Sequence, residues 1–256
     1  MLRHFETHIE ALAQQCFDQP ILDDTFIVEG MPEGGGTSSR RVRVAGTNQR
    51  AWAKPARIAP DNLNCVVNEK IASDLAFSLG LPVAPVQIIK RCTVPDFPPV
   101  VALSYSALPQ PRQWGQVSVT HSQRKSLASV LGAMFAFHAW IDDHDHNWND
   151  GNALLETSND GSIRAVFIDY SFSLTRRWNP PAPAPDGRWG QRSGPYLNLD
   201  QDAAIATVEA IRQVALSELE DTIAHVPRDC LSEANASALA KGLHERGSTL
   251  RALLNF

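Results

Sequence analysis

The sequence predicts an α+β fold in two lobes, a small sheet lobe with one helix followed by a mainly helical lobe. Three observations carry this expectation. The first hundred residues alternate short apolar runs with turn-forming clusters; residues 122–141 are apolar on nearly every side, as a buried helix requires; and the last fifty residues carry apolar stripes at helical spacing. Element by element, residues 4–17 place Phe5, Ile9, Leu12, Ala13 and Cys16 at helical spacing before Pro20. Residues 25–31 form a strand, Glu33-Gly34-Gly35-Gly36-Thr37-Ser38-Ser39 a flexible turn, and residues 41–45 alternate basic and apolar residues as a half-exposed strand does. Gly46-Thr47-Asn48 turns the chain into a third strand, residues 50–54. Residues 63–79 read as a helix that stops at Gly80 with Pro82 behind it. Strands at 83–89 and 100–104 complete the sheet lobe.

Residues 109–116, rich in Pro and Gln, form a connector to the buried helix. A polar loop at 142–152, a strand at 153–156, a turn at 158–161 and a strand at 163–168 ending in Asp169 come next. Residues 176–194 read as loop, and the tail as helices with Ile205, Val208, Ile211, Leu216, Leu219 and Ile223 on one stripe and Leu239, Leu243, Leu250 and Leu253 on another. The chain thus divides into a terminal helix (1–20), a sheet lobe (21–108) and a helical lobe (109–256).

Composition narrows the function. With 256 residues, 43% hydrophobic and 20% charged, the chain is an ordinary globular one. Its 23 basic and 28 acidic residues give a net charge of -5, so no positive surplus exists to hold a phosphodiester backbone, and nucleic acid is not expected as principal ligand. The apolar run 127–141 is shorter than the roughly 20 residues of a membrane span, and the polar start lacks a signal peptide's apolar centre, which predicts a cytoplasmic location. Cys16, Cys65, Cys92 and Cys230 lie far apart and form no CxxC, the pattern of free thiols.

Chemistry concentrates in Asp142-Asp143-His144-Asp145-His146-Asn147-Trp148-Asn149-Asp150-Gly151-Asn152, a run of carboxylates, imidazoles and amides. It joins the buried helix to a hairpin whose second strand, Ala165-Val166-Phe167-Ile168, delivers Asp169. Hairpin closure would bring Asp169 beside Asn152 and Asp150, and oxygen ligands from two segments suit Mg²⁺, which keeps several waters and accepts phosphate oxygens. The alternative is a solvated, helix-ending turn. Lys54 ends a strand between apolar flanks, Ala51-Trp52-Ala53 and Pro55, and only five of the basic residues are lysine. A buried lysine needs an anion, and Glu69 on the following helix is the candidate; taken alone, such a lysine also fits a snorkelling edge residue.

The order of these parts resembles the protein-kinase-like fold, and more narrowly the HipA-like kinases, relatives of the phosphatidylinositol 3- and 4-kinases. The turn Glu33 to Ser39 looks like the glycine-rich turn, RAWAK ending at Lys54 like the nucleotide-lysine strand, and Asn68-Glu69 with LGLPVAP is similar to the helix and following strand. Asp145 with Asn152 looks like the catalytic-loop acid and metal-binding amide, and Phe167-Ile168-Asp169-Tyr170 like the strand that delivers the metal-binding aspartate. His225-Val226-Pro227 and LHERGSTLRALL are similar to the closing helices, so the likeness spans most of residues 25–254.

The resemblance implies a bilobal kinase-like fold with an antiparallel sheet lobe, and an ATP- and Mg²⁺-dependent transfer of phosphate to a protein Ser/Thr hydroxyl. Gly34, Gly35, Gly36, Thr37 and Ser38 would cover the phosphates; Lys54, oriented by Glu69, would hold them; Asp150, Asn152 and Asp169 would hold Mg²⁺; and Asp145 would accept the hydroxyl proton. Residues 104–110 would form the hinge facing adenine. Ser38 or Ser39 would be a self-phosphorylation site, and Arg176, Arg177, Arg188 and Arg192, in the place of an activation segment, would recognise an anionic substrate or a phosphorylated residue, the alternative being a solvated charged loop.

One spacing departs from the ordinary kinase pattern H-R-D-x-x-x-x-N, where five positions separate acid and amide. Asp145 plus five is Asp150, whereas Asn152 minus five is Asn147, a poor proton acceptor. The first register gives a base without the amide, with Asp150 in the amide's place, and is the one the resemblance favours; the second gives the amide without a base, and with it a nucleotide-binding pseudokinase of weak or lost activity. A further alternative class is a metal-dependent phosphohydrolase built on His144, Asp145 and His146.

Overall fold

A computed structural model describes residues 7–22, 25–30, 39–55, 63–108, 110–143, 145–174 and 194–254. The first element is helix α1 (Thr7–Asp18), followed by strands β1 (Ile21–Leu22), β2 (Phe26–Val28), β3 (Arg40–Val44) and β4 (Arg50–Pro55), helix α2 (Leu63–Ser78), and strands β5 (Val86–Ile89) and β6 (Val101–Tyr105). The six strands make one sheet in the order β1-β5-β6-β4-β3-β2, antiparallel throughout except for the parallel pair β1–β5, with Ile21 opposite Ile88. That two-residue strand lies just after Pro20, in a segment whose sequence carries no alternation long enough to be read as a strand.

The two faces of this sheet have different fates. Period-two alternation sends Val42, Val44, Ala51, Ala53, Leu103 and Tyr105 into one apolar cluster that Cys16 of α1 and Phe97 of the β5–β6 loop complete. The opposite face carries Ile88 and Ala102, which pack with Val67, Ile71 and Leu75 of α2 in the main apolar cluster. Trp52 and Lys54 share that face but lie on β4, beyond the strands α2 covers. This is why β4 can present polar and aromatic side chains to a cleft without losing its place in the sheet.

The second lobe is built on helix α3 (His121–Trp140), capped by Thr120, whose hydroxyl accepts from Gln123 N at 3.3 Å while Gln123 Oε1 accepts from Thr120 N at 3.0 Å. Its second half, from Leu131 to Trp140, is wholly buried. A three-stranded sheet, β7 (Arg112–Gln113), β8 (Ala153–Thr157) and β9 (Ile163–Phe167), lies alongside in the order β7-β8-β9, and helices α5 (Gln201–Arg212), α6 (Leu216–Ile223) and α7 (Glu233–Leu254) close the lobe. The short helix α4 (Asp145–Trp148) and a 3-10 turn (Asp150–Asn152) occupy what the sequence reads as a polar loop. Asp143 makes the difference: its buried Oδ1 accepts from the N–H groups of Asp145 (3.1 Å) and His146 (3.3 Å), satisfying the free donors of a helix start. In the tail, the five-residue step from Ile211 to Leu216 breaks the helical stripe, and Glu218 accepts from Ala215 N at 3.0 Å to start α6 afresh.

Gly132 sets how closely α3 and α5 approach. A Cβ at this position would lie 2.1 Å from the carbonyl oxygen of Asp200, the residue that caps α5. Gly132→Ala is therefore expected to force the helices apart and destabilise the protein by about 1–3 kcal/mol, read as a lowered midpoint in denaturant unfolding. Among the described residues, no helix is long and apolar enough to cross a membrane.

Candidate active site

Three segments converge between the lobes. Strand β4 carries Lys54 to the centre of the sheet, opposite Ala102 of β6. Helix α2 turns Glu69 toward it, and Lys54 Nζ lies 2.7 Å from Glu69 Oε1. From the second lobe, the segment after β9 brings Asp169 Oδ1 within 3.1 Å of the same Nζ. Lys54 and Glu69 are buried, whereas 32% of the Asp169 side chain remains exposed to the cleft.

A backbone link between the lobes places Asp169. Residues after α2 run beside β9, with Ala84 N donating to Phe167 O at 3.0 Å and Phe167 N donating to Pro82 O at 2.9 Å. The strand end is thus tied to the sheet lobe two residues before Asp169, which itself adopts a positive φ of 69°. That left-handed backbone is uncommon for a residue other than Gly, and it marks a position fixed by its surroundings. Burial alone would depress Lys54, but Glu69 and then Asp169 hold its pKa above the usual value. Burial likewise raises Asp169, yet the Lys54 charge and the hydrogen bonds of Lys54 and Ser171 bring it down to about 2. The pair is an ammonium facing a carboxylate at any ordinary pH.

Beside this pair, Asn152 ends the 3-10 turn with its amide fixed at both ends. Asn152 Nδ2 donates to Asp145 Oδ2 at 2.7 Å, and Asn152 Oδ1 accepts from Asn149 Nδ2 at 3.3 Å. Lys54, Asn152 and Asp169 line one cavity of about 930 Å³ between the lobes, with Trp52 and Ser39 in its wall as well. The cavity wall takes in Gly151 and Asn152, and Asp150 is not part of it. Asp145 reaches the cavity through its hydrogen bond to Asn152, while Asn147 is buried at 1% exposure.

Several residues expected from the sequence fall outside the described segments: Gly34, Gly35, Gly36, Thr37 and Ser38 of the glycine-rich turn, His144 of the polar run, and Arg176, Arg177, Arg188 and Arg192. His146, a member of the imidazole–carboxylate cluster, turns into the core. It stacks on Tyr170 with ring centroids 4.5 Å apart and pairs through Nδ1 with Asp143 at 3.1 Å. Burial would depress this imidazole, but Asp143 above all raises it, whereas burial followed by the His146 charge holds His138 well below the usual value. Neutral His138 sits between the hydroxyls of Tyr196 (2.8 Å at Nδ1) and Tyr170 (3.1 Å at Nε2), so it accepts from one and donates to the other. Among the described residues, no group of three or more His, Cys, Asp or Glu side chains is arranged to hold a metal by itself.

Sequence reasoning missed the residues that brace the site. Ser171 Oγ donates to Glu69 Oε1 at 2.8 Å, and Asn68 Nδ2 donates to the carbonyls of Ser171 (3.2 Å) and Ser173 (2.6 Å). Helix α2 is thereby pinned to the segment that follows Asp169. Nothing local marks these contacts, since Asn68 and Ser171 lie 103 positions apart.

A sheet lobe with a single packed helix, a helical lobe, and a cleft between them lined by strand, turn and hairpin residues define the bilobal protein-kinase-like class of fold. The crystal structure of a Helicobacter pylori proinflammatory kinase, CtkA, is similar to this one with a TM-score of 0.63, covering 93% of this chain and 97% of that chain at 13% sequence identity. At that identity the likeness is one of fold. No protein-family model matches the chain, and no curated protein matches it by sequence.

Proposed function

We propose that the chain is a phosphotransferase of HipA-like type that moves the γ-phosphoryl group of ATP to a Ser/Thr hydroxyl of a protein, with Mg²⁺. One observation carries this reading: Lys54 Nζ sits between Glu69 at 2.7 Å and Asp169 at 3.1 Å, so an ammonium from the sheet lobe meets a carboxylate from the helical lobe inside the cleft. An ammonium held by a buried carboxylate is a fixed point charge suited to phosphate oxygens. The donor set also fits Mg²⁺, because Asp169 and Asn152 offer hard oxygens and this ion takes few protein ligands beside water and phosphate. Bound there, it would neutralise charge on the transferring phosphate.

The chain's own residues divide the remaining work. Glu69 orients Lys54, and Ser171 orients Glu69. The acceptor oxygen bonds to the γ-phosphorus as the bond to the β–γ bridging oxygen breaks, ADP leaves, and the hydroxyl proton passes to Asp145. Two facts favour Asp145 over Asn147 in that role: its carboxylate is tied to the cleft-lining Asn152, whereas Asn147 is buried. The glycine-rich turn, Gly34 to Ser38, would cover the phosphates, and Ser39 at its described end lines the cavity.

ADP formation from ATP with Mg²⁺, followed with and without a cytosolic extract as acceptor source, tests the reading. Asp145→Asn is expected to slow transfer by about 10²–10⁴-fold with little change in ATP affinity. Thermal stabilisation by ATP without turnover would instead mark a nucleotide-binding pseudokinase, and metal-dependent release of phosphate from esters without ATP would mark a hydrolase.

A further inference from the structure

Away from the cleft, the helical lobe grips α2 at a second point. His225, in the turn between α6 and α7, lies with Nδ1 2.9 Å from Asp74 Oδ2, and because a carboxylate oxygen accepts, Nδ1 is the donor. Phe17, at the end of α1, packs edge-on against this imidazole with ring centroids 4.5 Å apart, and its ring lies 5.3 Å from that of Phe77 near the end of α2. The turn that carries His225 is itself firmly seated. Val226 and Leu231 are buried in the main apolar cluster, and the N–H groups of Cys230 and Leu231 both donate to Pro227 O.

Helix α2 packs chiefly on β5 and β6, whereas Lys54 stands on β4. The 2.7 Å contact between Glu69 and Lys54 therefore joins two elements that are not packed face to face, and its length depends on where α2 is held along its own axis. Asp74 follows Glu69 by five positions in the same helix, a separation of about 7–8 Å at 1.5 Å per residue. Over so short a span an α-helix moves as one rod, so a slide or rotation that frees Asp74 carries Glu69 with it. Glu69 is fully buried, which leaves no room to re-form its contact from a shifted register.

We infer that His225 is a positioning residue for phosphotransfer: by donating to Asp74 it fixes the register of α2, and through α2 it keeps Glu69 where it aims Lys54 into the cleft. The inference deepens the proposed phosphotransfer function and rests on it. His225 is not part of the cavity wall, so it acts through the helix and not on the nucleotide. A hydrogen bond to a carboxylate that is itself buried is a strong one, sufficient to decide between neighbouring positions of one helix. The same turn also meets the sheet lobe through Asp229 and Lys90 at 3.1 Å, but those side chains are 59% and 37% exposed, and so wetted a pair contributes little.

Two measurements on the full chain test the inference: steady-state ADP formation from Mg-ATP, and hydrogen exchange of the α2 amides, which is independent of turnover. His225→Phe keeps a ring against Phe17 but removes the donor. It is expected to lower kcat about 2- to 30-fold with KM for ATP within about threefold, and to speed exchange along α2. His225→Asn, whose amide nitrogen takes the place of Nδ1, should bring both readouts back to within about twofold of wild type. Asp229→Asn, which breaks the exposed ion pair of the same turn, should change neither. Wild-type kcat in the Phe variant, a lowered kcat without faster exchange in α2, an Asn variant as impaired as the Phe one, or an equal loss in Asp229→Asn overturns the positioning role alone. A wild-type chain that forms no ADP overturns the phosphotransfer reading and the positioning role together.

Discussion

On the proposed phosphotransfer reading, Asp169→Asn is expected to lower the rate by on the order of 10²–10³-fold, because it removes the charge that faces Lys54 and that would hold a metal ion at one point of the cleft. The substitution keeps the shape and leaves Lys54 paired with Glu69 at 2.7 Å, so the fold should survive. Its pH behaviour is also specified. Lys54 and Ser171 hold the folded-state pKa at about 2, below the usual 3.8. A depressed carboxylate contributes stability that is fully present above its unfolded value and is lost as pH falls through the folded one. The stability gap between wild type and Asp169→Asn in denaturant unfolding should therefore be open at neutral pH and narrow as pH is lowered toward 2. By the same token, an acid limb in the wild-type pH–rate profile between pH 5 and 7 would belong to another group. Turnover of the Asn variant within threefold of wild type would sink the assignment.

The second large effect lies away from the cleft, on the opposite side of α2. Lys70 and Asp74, one helical turn apart, form an ion pair at 2.6 Å with 0% and 3% of their side chains exposed. Lys70 also donates to Cys16 O of α1 at 3.0 Å, and Asp74 Oδ2 lies 2.9 Å from His225 Nδ1, after α6. Three separate parts of the chain thus meet on one buried pair. Burial, partly offset by Lys70, pushes the Cys16 thiol up to about 12, so it is an inert member of the cluster. Asp74→Ala leaves a buried ammonium with a single carbonyl partner and should cost about 3–5 kcal/mol. For a chain of this size that lowers Tm by roughly 6–20 °C. The double variant Lys70→Met with Asp74→Leu should recover most of the loss, since it removes both charges together. A double variant as unstable as the single one would show that the pair's role is packing, not charge.

These two outcomes bear on different layers of the molecule, and they differ in how far the sequence foretells them. The Lys54, Glu69 and Asp169 constellation is legible because each residue is flagged locally: a lone lysine between apolar strand residues, an acid on the next helix, an acid at the end of an apolar strand. The distances of 2.7 and 3.1 Å join what the order of motifs implied. The Lys70–Asp74 pair is equally visible as an i, i+4 spacing, but such pairs are usually solvated, and burial by α1 and His225 changes its meaning. Asp143 and His146 read as members of a polar loop suited to a hard cation or phosphate. Their fate as a buried cap and a stacked ring follows only once Tyr170 and His138 close over them.

What the sequence determines by itself is whatever depends on neighbours a few positions away: the alternation that faces Trp52 and Lys54 to one side of β4, the Thr120–Gln123 box that starts α3, and the apolar run that buries it. The tertiary structure alone decides which side chains become partners across a hundred residues, such as Asn68 with Ser171 and Ser173, or Arg246 with Asp142 at 2.8 Å. Local conformation is a property of short chain segments, whereas the strength and even the sign of a polar contact depend on how much water the packed lobes exclude around it.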